Sequence, residues 1–225
     1  MIVPGVNTFF AQFGNLLKSA RILLHLLTPD ENGKVEKEIL VLVHPCVLTL
    51  YSAFECFLKV REREEISLKG GQLNYTDNER RMENRAFALY ERLHKKPFDK
   101  SSKLYDDYNH FIKLRNLIAH ANGEEIDGKE FKFKTNDWVS IDSGSIAKKD
   151  KNKVAWDSES SRDKKADKVI SFLERRKVIR TVTNLRYMGW MTSIENPEVA
   201  KWSYDLIKEM MIKLSSESYV TFFES

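Results

Sequence analysis

The chain has 225 residues, 42% of them hydrophobic, which is enough to bury one substantial core and argues for a single domain over 1–225. Two cysteines exclude a disulfide-stapled scaffold, and no apolar run reaches membrane-span length without interruption, the longest, Ile39 to Phe54, being broken by His44-Pro45. The formal charge is only +4, but from Lys148 to Arg180 there are 12 Lys/Arg against 6 Asp/Glu, a local excess of +6 that leaves −2 for the rest and suits a polyanionic partner.

Apolar residues from Phe9 and Phe10 through Phe13, Leu16, Leu17, Ile22, Leu23 and Leu27 keep helical spacing, so a first core helix is expected from about Asn7 to Leu27. His25 on it reads as a core or boundary histidine rather than a ligand. The turn chemistry of Thr28 to Gly33 ends this helix. A second helix is expected from Val35 to Glu65, with Pro45 either kinking it near Val41 to His44, the preferred reading, or opening a fresh first turn. Its half from Leu48 to Leu58 is apolar nearly all round except for Glu55, which must find a donor there or sit at a solvated edge.

Gly70-Gly71 breaks the chain, and Thr76-Asp77-Asn78-Glu79 is a capping box opening a third helix that runs to about Lys95. Arginines at 80, 81, 85 and 92 on it are interspersed with Glu79, Glu83 and Glu91, so a solvated face is favoured over a phosphate-contacting one. Ser101 or Ser102 caps a fourth helix that extends toward Gly123, with Leu104, Tyr108, Phe111 and Ile118 on one stripe and Arg115 on the same stripe. Beyond it the pattern alternates: residues 129 to 141 read as a short hairpin, and the Ser-, Lys- and Asp-rich segment that follows completes an insertion at about 124–160. Further helices are expected from about Asp163 to Lys177 and after Asn196-Pro197-Glu198, where Asn is the cap and Pro lies in the first turn. The expected fold is therefore mainly all-α, a bundle of four to six helices carrying a small hairpin insertion.

Cys46 and Cys56 lie ten residues apart on one expected helix, about 15 Å along its axis, too far for a disulfide. The histidines at 25, 44, 94, 110 and 120 have no Cys or carboxylate pattern around them, so neither a metal site nor another cofactor is expected. The start of the chain, with Pro4 and Gly5, lacks a basic segment and cleavage site, and a soluble protein of the reducing cytoplasm is the expectation.

The string Leu114-Arg115-Asn116-Leu117-Ile118-Ala119-His120 ends the fourth helix, and Tyr51-Ser52-Ala53-Phe54-Glu55-Cys56-Phe57-Leu58 belongs to the second. Together they resemble HEPN domains, in which an Arg-x4-6-His signature lies near a helix end beside a helix containing Phe-Glu. The resemblance implies an up-and-down helical bundle and, in the active members, metal-independent RNA cleavage in a cleft between two protomers. It assigns catalysis to Arg115 and His120 with Asn116 in support, and it implies a homodimer, an RNA substrate, and a setting in host defence or as a toxin with an antitoxin or defence-system partner. Some HEPN toxins carry a Tyr two residues after the His, where a partner enzyme modifies it. Here Ala121-Asn122 follows His120, which speaks against that form of regulation.

The chemistry agrees with the residue types. Cleavage by the 2′-hydroxyl needs a base, an acid and fixed positive charge around the phosphorane, which imidazole and guanidinium supply. On a straight helix Arg115 and His120 diverge by about 140°, so two copies facing one cleft reconcile them most simply. Glu55 is the expected carboxylate partner of Arg115. Lys148, Lys149, Lys151, Lys153, Lys164 and Lys165 are candidate RNA contacts. The alternative reading is a non-catalytic HEPN module that dimerises or binds a nucleotide or a protein partner, with Arg115 structural.

Overall fold

The computed structural model describes residues 6–69, 75–121, 161–180 and 193–215. These are mainly helical, with no strand among them: α1 (Val6–Leu26), a 3-10 segment (Lys37–Leu42), α2 (Val43–Lys69), the single turn α3 (Asp77–Arg80), α4 (Met82–His94), α5 (Lys103–Ala121), α6 (Ser161–Arg175) and α7 (Pro197–Leu214). The all-α expectation holds. The expected hairpin at 129–141 and the basic loop after it lie outside the described residues.

α2 is the hub, packed on α1, α4, α5 and α7. Phe13 meets Phe57 at 5.6 Å while Ala20 accepts from the Cys46 thiol, so α1 and α2 run antiparallel. Tyr108 meets Phe54 at 5.7 Å and Arg115 meets Tyr51, which sets α5 antiparallel to α2 in turn. The seam between α4 and α5 follows the same sense: the Tyr108 hydroxyl donates to the Met82 carbonyl, and Phe87 packs on Tyr105. Phe13, Leu50, Phe54, Phe57, Leu58, Leu89, Tyr108, Phe111, Leu114, Phe172 and Leu173 are fully buried where these helices converge. Each contributes about 1.5–3 kcal/mol by leaving water.

Pro45 starts a helix rather than kinking one. The 3-10 segment precedes it and α2 opens at Val43, so the proline falls in the first turn, where its missing N–H would have had no partner. Because the proline does not interrupt the chain's helical course, Lys37–Leu68 is, by length and composition, apolar enough to cross a membrane, contrary to the reading of its longest run. In this fold it is the central core helix, with Val43, Cys46, Val47, Leu50, Ala53 and Phe54 all buried against other helices.

The expected third helix is also divided. Its capping box forms, with Thr76 Oγ1 accepting from the Glu79 N–H and Glu79 Oε2 from the Thr76 N–H. Arg81 is then extended (φ −67°, ψ 134°), and the Asn84 side chain donates to the Asn78 carbonyl and side-chain oxygen, taking over an acceptor that a continuous helix would use. α1 departs from expectation at its C-terminal half, where Ile22 and Leu26 are about half exposed and His25 is exposed, because the chain leaves α2 there through the Asp30 turn. Asp30 and Gly33 form that turn as expected, with Gly33 at φ 73°. Asn196 caps α7 by accepting from the Glu198 N–H, with Pro197 in the first turn as expected. Both cysteines are free and buried.

Candidate functional site

α5 carries the candidate site at its C-terminal end. Its start is fixed by Ser102, whose Oγ accepts from the Tyr105 N–H at 3.2 Å, and by Asp99, which accepts from the Ser101 N–H and hydroxyl. These bonds to the Asp99 carboxylate hold its pKa below the usual carboxylate range. The stripe of Leu104, Tyr108, Phe111, Leu114 and Ile118 is then buried, which fixes the rotation of the helix and carries Arg115 to the edge of the core, half-buried.

Arg115 does not meet Glu55. Its guanidinium carbon lies 4.1 Å from the centre of the Tyr51 ring, and its Nη1 donates to Asn116 Oδ1 at 3.1 Å. Glu55, one turn further along α2, instead pairs with Lys59 at 3.3 Å, both side chains more than a third exposed. The two positions are four apart on one helix and so share a face, and the antiparallel passage of α5 brings Arg115 over the ring rather than over the carboxylate. Among the described residues no carboxylate neutralises Arg115, and its Nε is buried without an acceptor. His120 stands in the last turn of α5 and is exposed. The structure thus brings Arg115, Asn116 and Tyr51 together, with His120 about 7.5 Å further along the helix axis.

Tyr51 is the residue that sequence reasoning missed. A signal was present in the sequence: a tyrosine one turn before the only carboxylate on an apolar helix face offers an arginine an aromatic surface at the same azimuth.

Two of the other arginines weighed in the sequence, Arg85 and Arg92, are already engaged. Arg85 holds Glu62 with two nitrogens, Nε to Oε1 at 2.6 Å, and the Tyr75 hydroxyl donates to the same carboxylate. Burial first, and the Glu62 charge after it, push the Tyr75 pKa well up. Arg92 covers the Tyr75 ring at 4.3 Å and lies 3.9 Å from Glu79. Arg85 and Arg92 each meet a carboxylate, and Arg115 meets none among the described residues.

Of the basic segment, Lys148, Lys149, Lys151 and Lys153 lie outside the described residues, as does the side chain of Lys164, whereas Lys165 is exposed on α6. α6 docks on α5 with its axis reversed. His110 stacks on Phe172 with ring centres 3.7 Å apart, and Arg176 lies 3.1 Å from Asp106 and 2.7 Å from Asp107. Among the described residues no three His, Cys, Asp or Glu side chains are grouped so as to hold a metal ion. No family model, curated protein or solved structure matches this chain.

Proposed function

We propose that this chain is a metal-independent endoribonuclease of the HEPN type, working as a homodimer with a composite cleft. The observation that carries the reading is Arg115: a guanidinium held by an aromatic ring and an amide oxygen, meeting no carboxylate among the described residues, on the same helix end as an exposed histidine. A half-buried cation with no carboxylate beside it among the described residues is suited to an anionic ligand, and a phosphodiester supplies one.

In the proposed reaction the 2′-hydroxyl attacks phosphorus as one imidazole takes its proton. The O2′–P bond forms and the P–O5′ bond breaks. The 5′-oxygen leaves with a proton from a second imidazole, and Arg115 holds the charge that gathers on the phosphorane oxygens. The azimuths of Arg115 and His120 diverge by about 140°, which suits a cleft where the imidazole of a second copy faces Arg115. Asn116, bonded to Nη1, holds the guanidinium rather than the imidazole. Exposed basic residues such as Lys165 would extend the RNA track. Free, buried thiols fit a reducing compartment such as the cytoplasm. Such an activity requires restraint, and a toxin or defence role with an antidote or partner protein follows from the same reading.

The test is cleavage of total cellular RNA by purified protein beside Arg115→Ala and His120→Ala. Products ending in 2′,3′-cyclic phosphate and 5′-hydroxyl, formed in excess chelator and absent with both variants, support the assignment. Full activity in both variants, or complete loss on adding chelator, sinks it. A second reading, a HEPN module that binds RNA or a nucleotide without cutting it, is favoured by one feature: within a protomer Arg115 bonds to Asn116 and not to His120. Binding without turnover, in a protein that sedimentation shows to be dimeric, selects that module.

A further inference from the structure

We propose that Tyr51 is the positioning residue for the guanidinium of Arg115, holding it as a flat, charged platform for a phosphate of single-stranded RNA. This rests on the reading that Arg115 meets a phosphate. Three features of the contact point to it.

An arginine at the edge of a core is ordinarily quieted by a carboxylate, and one is within a helical turn of the contact point. Glu55, on the same face of α2, is instead engaged with Lys59 and solvent. The ring attracts the cation without neutralising it, since the attraction comes from the ring quadrupole and transfers no charge.

The stack also spends none of the guanidinium's N–H donors. Of the five, Nη1 is used on Asn116, and Nε is covered and finds no acceptor among the described residues, so a phosphate is met from the Nη end. The Nη nitrogens carry the group's remaining N–H donors, and a phosphate arriving there accepts from them while answering the guanidinium charge.

Finally, the platform is rigid. α2 is locked by Leu50, Ala53 and Phe54, and α5 by Phe111, Leu114 and Ile118, all buried, so ring and guanidinium meet without either helix being free to rotate. Little order is then left to be gained on binding, which favours affinity.

The experiment uses the full chain and a fluorescein-labelled single-stranded RNA methylated at every 2′-oxygen, which binds but lacks the nucleophile. Tyr51→Phe keeps the ring and should recover most of the affinity that Tyr51→Leu loses. Tyr51→Leu should weaken binding by about 3- to 30-fold, the usual range for a partly desolvated cation on an aromatic face. Because the charge stays, the slope of log affinity against log salt should not change, whereas Arg115→Ala should lower it by about 0.7 to 1. The Tyr51→Leu/Arg115→Ala double variant should bind no more weakly than Arg115→Ala alone. Tyr51→Met is run in parallel, with melting temperatures for all, so that a folding defect in one variant does not decide the matter.

Wild-type affinity in folded Tyr51→Leu or Tyr51→Met, or losses that add in the double variant, overturns the inference. A chain that binds through Arg115 and Tyr51 but does not cut unmethylated RNA removes the ribonuclease reading and leaves the inference standing. A chain that cuts RNA with Tyr51→Leu unimpaired does the opposite, and one that neither binds nor cuts overturns both.

Discussion

Replacing Arg176 by alanine should loosen α6 from α5. Asp107 is only 4% exposed and rests on two cations, Arg176 at 2.7 Å and Lys103 at 3.5 Å. Removing one partner of a well-buried pair costs about 3–5 kcal/mol because the other charge is stranded. Two features lower that figure here. The Arg176 N–H is not aligned on Asp107 Oδ1 despite the short separation, so the contact is chiefly Coulombic. Lys103 remains as a weak counter-ion, its side chain 72% exposed. The loss of the Arg176 contact with the Phe172 ring, 5.2 Å away, adds a smaller amount. About 2–3 kcal/mol is expected, a fall in Tm of roughly 4–12 °C for a chain of this size. Urea denaturation of Arg176→Ala, Asp107→Asn and the double variant isolates the pair. A coupling of at least about 1.5 kcal/mol is expected, and one below about 0.5 kcal/mol would refute the claim that this ion contact holds the seam.

Three other outcomes are expected. Burial pushes the Cys46 thiol up to about 11 from 9.0, so it should resist thiol reagents near neutral pH until the chain is unfolded; its contribution to stability is fully present below pH 9.0 and lost as pH rises through about 11, and native-state labelling at neutral pH would contradict this. Asn196→Ala removes the acceptor for the Glu198 N–H and should cost about 1 kcal/mol in urea denaturation, an unchanged midpoint arguing against the cap. His120→Ala should leave the melting temperature within about 1–2 °C of wild type, because the side chain is exposed at a helix end, and a larger drop in calorimetry would assign the histidine a structural role.

The sequence by itself determined the helical class and the starts of most helices, because these depend on local chemistry. Apolar spacing predicted the buried stripe of α5, Ser102 and Asn196 cap the helices where their types and positions say they should, and the Thr76-Glu79 box closes as written. The candidate site was legible as residue types at a helix end: Arg115, Asn116 and His120 lie on the expected helix, and Arg115 on its expected stripe. Contacts between helices were not legible. The choice of Tyr51 over Glu55 beneath Arg115 turns on the crossing register of α2 and α5, which differs by one helical turn between the two outcomes and which no local pattern encodes. The same holds at Pro45, where one residue type permits either a kink or a first turn, and at Asn84, whose side chain captures the Asn78 carbonyl and splits one expected helix into two. Periodicity records which face of a helix is buried. What that face meets, and therefore whether a charge lies against a carboxylate or an aromatic ring, was decided only when the helices packed together.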